Sequence, residues 1–334
     1  TFGPATLTEL GATLDELAQR AAAGEIQAVG VTGKQYILAA GADLSDVSRV
    51  PSREVAKLVA QQGHFVLGKL STLGVPSFAF VNGLALGGGL EIALHSSYRT
   101  VDASAAAIAL PEVFLGLIPG WGGAFLLPNL IGIENALEVI ISNPLQQNRT
   151  LRPQQAFKLG VVDAIFPAAN YLEDSLRWAD AVLAGTTKVN RKQEPGKIER
   201  PTKWPIAIKM ARNMLENRIG TVPKSPYVAL SLLEAARSGI PAEGFAREDE
   251  ALADLVVGDQ FAASMYAFDL VQKRAKRPVG APDKKLAKRV TKVGIIGAGL
   301  MASQFALLFL RRLQVPVILT DLDQARIDKG LAYI

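Results

Sequence analysis

The stretch VNGLALGGGLEIAL (residues 81–94) runs from an apolar strand through three consecutive glycines, Gly87, Gly88 and Gly89, into helix formers. Glycines at such a turn leave backbone N–H groups unencumbered at a helix N-terminus, where the partial positive charge favours an oxyanion. Without a Cβ, glycine also lets a ligand approach the backbone closely. A tight strand-to-helix turn that merely packs closely calls for the same residues. This stretch alone leaves both readings open.

Upstream, IQAVGVT (26–32) reads as a buried strand, followed by a Gly/Ala-rich loop, GKQYILAAGADL (33–44), with a free amide near Ala42. An enolate derived from a thioester needs two donors converging on one oxygen, so a second small-residue loop adds weight to the first. LTELGATLDELAQRAAA (7–23) reads as a helix. Residues 52–70 set Val55, Leu58, Val59, Phe65, Val66 and Leu70 at helical spacing. The turn Gly74-Val75-Pro76 leads into a short strand, SFAFV (77–81). Strands alternating with helices predict parallel β-α units and an α/β fold class.

Two glutamates stand out downstream. Glu91 falls two residues after the last glycine, in the first turn of the expected helix. Glu112 follows Pro111 in ALPEVFLGLIPGWGG (109–123). Each alone is explained as a helix-start carboxylate complementing the dipole, with Pro favoured at the first helical position. Their apolar, charge-poor surroundings argue the other way, because an idle carboxylate is costly to bury there.

The segments GKQYILAAGADL, VNGLALGGGLE, ALPEVFLGLIPGWGG and QQAFKLGVVDAIFP (154–167) together resemble the crotonase superfamily in order and spacing, over residues 1 to about 185. Glutamate at both positions matches the enoyl-CoA hydratase pattern within it. The resemblance implies a β-β-α spiral domain acting on coenzyme A thioesters. It assigns the oxyanion hole to the N–H groups of Ala42 and Gly88, and catalysis to Glu91 and Glu112, with Glu112 donating the Cα proton. His95, one turn after Glu91, departs from the pattern and reads as a packed, hydrogen-bonded histidine. The opening β-hairpin of such a domain is not found at the N-terminus, so CoA contacts made there are not assigned.

The composition narrows the alternatives. The chain has 334 residues, 49% hydrophobic and 20% charged, with no Cys and only two His. This excludes a disulfide scaffold, a Cys nucleophile and a Cys-based zinc site, and no metal is expected. Residues 273–292 hold nine Lys or Arg and one Asp, which outweighs the net charge of +5 for the whole chain. With no aromatics interleaved, this reads as a solvated linker and not a nucleic-acid footprint. Residues 186–205, polar and interrupted by Pro195, Pro201 and Pro205, also read as a connector, and 206–275 as helices.

The uncharged run 293–310 is long enough for a membrane span, but Gly294, Gly297 and Gly299 near its start indicate a strand, a turn and a helix. Gly297, Gly299 and Ala302 give G-x-G-x-x-A, and Asp321 ends the next strand, as a β-α-β dinucleotide unit requires. This segment resembles the start of a 3-hydroxyacyl-CoA dehydrogenase, and 206–275 the connecting region of multifunctional β-oxidation enzymes. The resemblance implies NAD for the intact protein and often a thiolase partner chain, with a homo-oligomer and a cytoplasmic location if bacterial.

The expected organisation is a hydratase domain over 1–185, linkers and a helical connector over 186–290, and a Rossmann-type unit truncated after 291–334. Its rivals are a Δ3-Δ2-enoyl-CoA isomerase and a catalytically idle assembly module. The chain looks cut at both ends, with dehydrogenase catalytic residues expected beyond Ile334. Residues 1–334 are therefore expected to form no NADH from 3-hydroxyacyl-CoA, as a spectrophotometric assay of the purified chain checks.

Overall fold

The computed structural model describes residues 1–196, 198–276 and 280–334. Arg277, Pro278 and Val279, in the basic stretch read as a linker, lie outside the described residues, as does Lys197. The chain forms two compact units, Thr1–Gln272 and Lys273–Ile334.

In the first unit the strands are β1 (Val29–Thr32), β2 (Tyr36–Ala39), β3 (Ser77–Val81), β4 (Gly83–Leu86), β5 (Tyr98–Asp102), β6 (Ile108–Ala109) and β7 (Ala164–Phe166). Odd-numbered strands form one sheet in the order β1-β3-β5-β7, and even-numbered strands a second in the order β2-β4-β6. Every pairing is parallel. The chain thus visits both sheets in each turn, which is the expected β-β-α spiral. SFAFV is buried at all five positions, as a central parallel strand covered on both faces must be.

Three local expectations need correction. The stretch 33–44 is more than a loop, since Tyr36–Ala39 is a strand paired with β4. Its small residues hid a strand whose pairing partner lies more than forty positions away. The helix Arg53–Gly68 forms where expected, but Val55, Leu58 and Phe65 are 37%, 62% and 69% exposed. Val66 and Leu70 are buried as their spacing suggests, but the rest of the inward face is Ala56, Ala60, Gly63, His64 and Leu67. The reason is close approach: a Cβ built on Gly63 would lie 2.1 Å from Trp121 Nε1. Small residues win that face because a bulky neighbour occupies it.

The prolines near 200 do not prevent a helix either. Glu199–Ile219 is helical through Pro201 and Pro205. Pro201 falls in the first turn, where an N–H has no intrahelical partner anyway. Pro205 does forfeit one backbone bond. Trp204 beside it is 1% exposed, and its Nε1 donates to the Leu233 carbonyl at 2.8 Å. It packs in the same core as Val81, Leu110 and Leu127 from the sheet-bearing part. The helices Lys224–Ala235 and Pro241–Val256 join this core through Leu230, Leu233 and Leu255.

The second unit pairs β8 (Val293–Ile296) in parallel with β9 (Val317–Thr320) through the helix Leu300–Leu313, and ends in Gln324–Tyr333. The expected β-α-β turn is present, with Gly297 at φ +102°. Among the described residues no helix is long and apolar enough to cross a membrane.

Trp204→Ala removes a buried indole and its hydrogen bond to the Leu233 carbonyl. It is expected to cost about 3–5 kcal/mol, read as a lowered midpoint in denaturant unfolding of the chain.

Candidate active site

Three neighbouring strands each deliver one part of the site at their C-terminal ends. In the smaller sheet Ala39 pairs with Ala85, and Leu86 with Ala109. Just beyond these pairs come Ala42, Gly88 and Glu112. Parallel register therefore gathers residues from three separate stretches at one sheet edge, the usual location of ligand sites in parallel sheets. A Cβ on Gly41 would lie 3.4 Å from the Gly88 nitrogen, so the two small-residue loops run side by side. Among the described residues, neither the Ala42 nor the Gly88 N–H donates a hydrogen bond to another backbone group.

The glycines are required by close contacts. Gly87 has φ +53°, and a Cβ there would lie 2.4 Å from Glu112 Oε1. At Gly89 a Cβ would meet the Ala39 carbonyl oxygen at 2.1 Å. The helix Gly88–His95 then starts with no side-chain cap.

A cavity of about 250 Å³ opens at this edge, bounded by Ala42, Gly88, Glu91 and Glu112. Leu252, Val256 and Phe268 close it from the helices Pro241–Val256 and Asp259–Lys276. Glu112 begins a short 3-10 turn, Glu112–Leu115, with Pro111 just outside it and not at the first helical position. As a residue Glu112 is partly exposed, yet its Oε2 is shielded from solvent and has no partner. Desolvation, followed by the charge of Glu91, raises its pKa well above the usual carboxylate value.

Glu91 is buried, and its Oε1 accepts from the backbone N–H groups of Trp121 (2.7 Å) and Gly123 (2.9 Å). Desolvation and the charge of Glu248 push its pKa up to about 7, against the pull of those two amides. The carboxyls thus differ in kind: Glu91 has donors that favour its ionised form, while Glu112 Oε2 has none. The first is suited to accepting a proton near neutral pH and the second to holding one.

Sequence reasoning missed Glu248 and His64. Glu248 is buried on the helix Pro241–Val256 and accepts from the N–H groups of Gly122 and Phe125, each at 2.7 Å. Through its Oε2 it also meets His64 Nε2 at 3.1 Å, while His64 Nδ1 meets Asp249 Oδ1 at 2.7 Å. Burial lowers the His64 pKa, but these two carboxylates outweigh it and raise the value to about 9. A signal was present: Phe245, Glu248, Leu252 and Leu255 follow helical spacing, which places a carboxylate on an apolar stripe. His95 is packed as expected, with Nε2 2.8 Å from the Trp121 carbonyl. Burial pulls its pKa down to about 4, so it is neutral and donates to that oxygen.

In the second unit Gly297, Gly299, Ala302 and Asp321 gather at the ends of β8 and β9. The N–H of Ala298 donates to Asp321 Oδ2 and that of Leu322 to Oδ1, both at 2.7 Å. These bonds, Ala298's first, lower the Asp321 pKa and keep it ionised. Gly299 caps the helix Leu300–Leu313 without a side-chain bond, and nothing lies within 4 Å of a Cβ built on Gly297 or Gly299. Among the described residues, no group of three or more His, Asp or Glu is placed to hold a metal ion.

Residues 1–194 match the family described as Enoyl-CoA hydratase/isomerase. The chain belongs to this family. The fold is similar to that of an enoyl-CoA hydratase from Mycobacterium avium subsp. paratuberculosis K-10, at 19% identity and TM-score 0.53, covering 77% of this chain and 86% of that one. A second enoyl-CoA hydratase structure, from Geobacillus kaustophilus HTA426, shares 21% identity at TM-score 0.51, covering 80% and 85%. The crotonase-like fold expected from the four motifs is thus the fold observed. Curated relatives named "Fatty acid oxidation complex subunit alpha" include those of Shewanella loihica, at 31% identity over 99% of this chain and 46% of theirs, and Idiomarina loihiensis, at 32% over 99% and 45%. The chain spans less than half the length of these relatives.

The raised pKa of His64 makes stability depend on pH. Its contribution is fully present below the unfolded value of 6.5 and is lost as pH rises through about 9. The Tm of the chain is therefore expected to fall over that window, and the fall to be smaller in His64→Gln, as thermal unfolding at stepped pH measures.

Proposed function

We propose that the chain hydrates trans-2-enoyl-CoA thioesters to 3-hydroxyacyl-CoA, with Glu91 and Glu112 as its catalytic residues. The observation that carries this reading is the pair of buried, chemically unequal carboxyls on one cavity beside two free amides. Water oxygen attacks C3 while Glu91 takes a water proton, and Glu112 gives its proton to C2. The electron pair of the double bond passes through C2 towards the thioester oxygen. The Ala42 and Gly88 N–H groups hold the charge there, a contribution of about 3 kcal/mol per donor. The turnover leaves Glu91 protonated and Glu112 ionised, so one proton must return from the first to the second. The other half of the cavity wall, Leu252, Val256 and Phe268, suits an apolar acyl chain.

The relatives' name supports placing this step in fatty-acid oxidation. The proposal extends to a longer chain that also oxidises the 3-hydroxyacyl product. On that reading 1–185 is the hydratase domain, 186–290 the connector and 291–334 the start of the NAD-binding domain. The second unit's residues fit NAD: the uncapped helix start at Gly299 suits its pyrophosphate, Gly297 and Gly299 leave room for backbone approach, and ionised Asp321 suits ribose hydroxyls. Bound NAD would accept hydride from the 3-hydroxy carbon. Ala302 serves helix–strand packing. A thiolase partner chain, a homo-oligomer and a cytoplasmic location complete the proposal.

Glu91→Gln and Glu112→Gln are each expected to lower kcat on a 2-enoyl-CoA by a factor on the order of 10²–10⁴ while the Tm stays near that of the parent. Near-parental turnover in either variant overturns the assignment. Conversion of a 3-enoyl-CoA without any hydration of the 2-enoyl substrate would favour the isomerase. The rate should also fall as pH drops through about 7, because protonated Glu91 cannot take a proton from water; a kcat/KM profile against pH measures this.

A further inference from the structure

The turn between Trp121 and Phe125 is held from two sides. Trp121 and Gly123 direct their N–H groups to Glu91 Oε1, whereas Gly122 and Phe125 direct theirs to the two oxygens of Glu248. Alternate amides of one short backbone segment are thus divided between two buried carboxylates, one from the helix Gly88–His95 and one from Pro241–Val256. The second helix lies outside residues 1–194, the stretch that matches the family. His64 from Arg53–Gly68 bonds Glu248, and Asp249 bonds the far side of that imidazole. The Phe245 ring stacks on His64 with centroids 4.6 Å apart.

We propose that Glu248, partnered by His64, is the positioning residue for Glu91, fixing both the turn that binds Glu91 and the electric field in which Glu91 exchanges its proton. This rests on the reading of Glu91 as the base. The charged and titratable groups facing the cluster are Glu112 across the cavity, Glu248, His64 and Asp249, and neutral His95 on the helix of Glu91. Arg53 and Lys57 pair with Glu250 and Asp254 on the solvent side of the two packed helices, outside the cluster. Desolvation raises the Glu91 carboxyl most, and negative charge on Glu248 disfavours ionised Glu91 further, against the pull of its two amides and of protonated His64. Burial raises the Glu248 carboxyl too, opposed by its bonds to His64, Gly122 and Phe125.

The test compares Glu248→Gln and Glu248→Asp with the parent chain. Glu248→Gln keeps the shape and removes the charge, and the amide bond it forfeits is on its own side of the turn. The acid limb of kcat/KM is expected to move to lower pH by at least about half a unit. Glu248→Asp, which keeps the charge, should leave the limb within a few tenths of the parent. A residue that only supports the fold would lower kcat in both variants and move neither the limb nor the titration of the Glu91 carboxyl; that result overturns the proposal, as does a shift to higher pH in Glu248→Gln.

An infrared titration of the Glu91 carboxyl, identified as the band absent in Glu91→Gln, reads the same shift without turnover. If that band moves while the rate profile does not, the role of Glu91 as base fails and the Glu248 inference stands. The pair is also read in the unaltered chain, because with only two histidines their ring resonances are readily told apart. His64 should stay protonated at pH 7, and a neutral His64 there overturns its part as the counter-charge of Glu248 even if no variant folds.

Discussion

Four amides from the 121–125 turn end on two carboxylates from which water has been excluded. Burying a carboxylate is tolerable only when it is bonded, and a turn whose N–H groups point two ways can satisfy one on each side. The rest of the first unit is arranged around that condition. The helix Gly88–His95 must end its glycine turn where Glu91 reaches the amides. The helix Pro241–Val256 must pack closely enough for Glu248 to reach them from the other side. The small face of Arg53–Gly68 lets Trp121 and the later helix approach, and supplies His64 as the counter-charge.

Parallel register does for the oxyanion-type amides what the turn does for the carboxylates. Because β2, β4 and β6 pair side by side, their C-terminal ends arrive at one edge. Loops widely separated in sequence then present Ala42, Gly88 and Glu112 to one cavity. The glycines are the cost of that convergence: a side chain at Gly87 or Gly89 would occupy space held by Glu112 or by the Ala39 carbonyl. The polarity of the site follows from the same crowding, since it is burial that lifts both glutamates out of the ordinary carboxylate range and makes them useful for moving protons near neutral pH.

Much of this was legible in the residues, and what was missed has physical causes. The glycine turn announced itself because three adjacent glycines serve few purposes other than close approach. SFAFV read correctly as a strand because a continuous apolar run suits a strand covered on both faces. The stretch 33–44 did not, since the ladder holding Tyr36–Ala39 is formed with β4, which no local window contains. On Arg53–Gly68 the large apolar residues suggested one inward face, while the structure buries the small ones to admit Trp121. Pro201 and Pro205 suggested a broken connector, but the burial of Trp204 outweighs one missing backbone bond.

The sequence by itself determined the sites where backbone geometry is dictated locally: Gly87 to Gly89, the G-x-G-x-x-A turn of the second unit, and the strand-helix alternation that makes the sheets parallel. It also marked Glu91 and Glu112 as carboxylates in apolar surroundings. Only the tertiary structure decided what those carboxylates become. Their desolvation, the division of the 121–125 amides, and the arrival of Glu248 and His64 from distant helices depend on packing between segments far apart in the chain. Local propensity carries no information about such distances, and the charge state of a buried group is set by them.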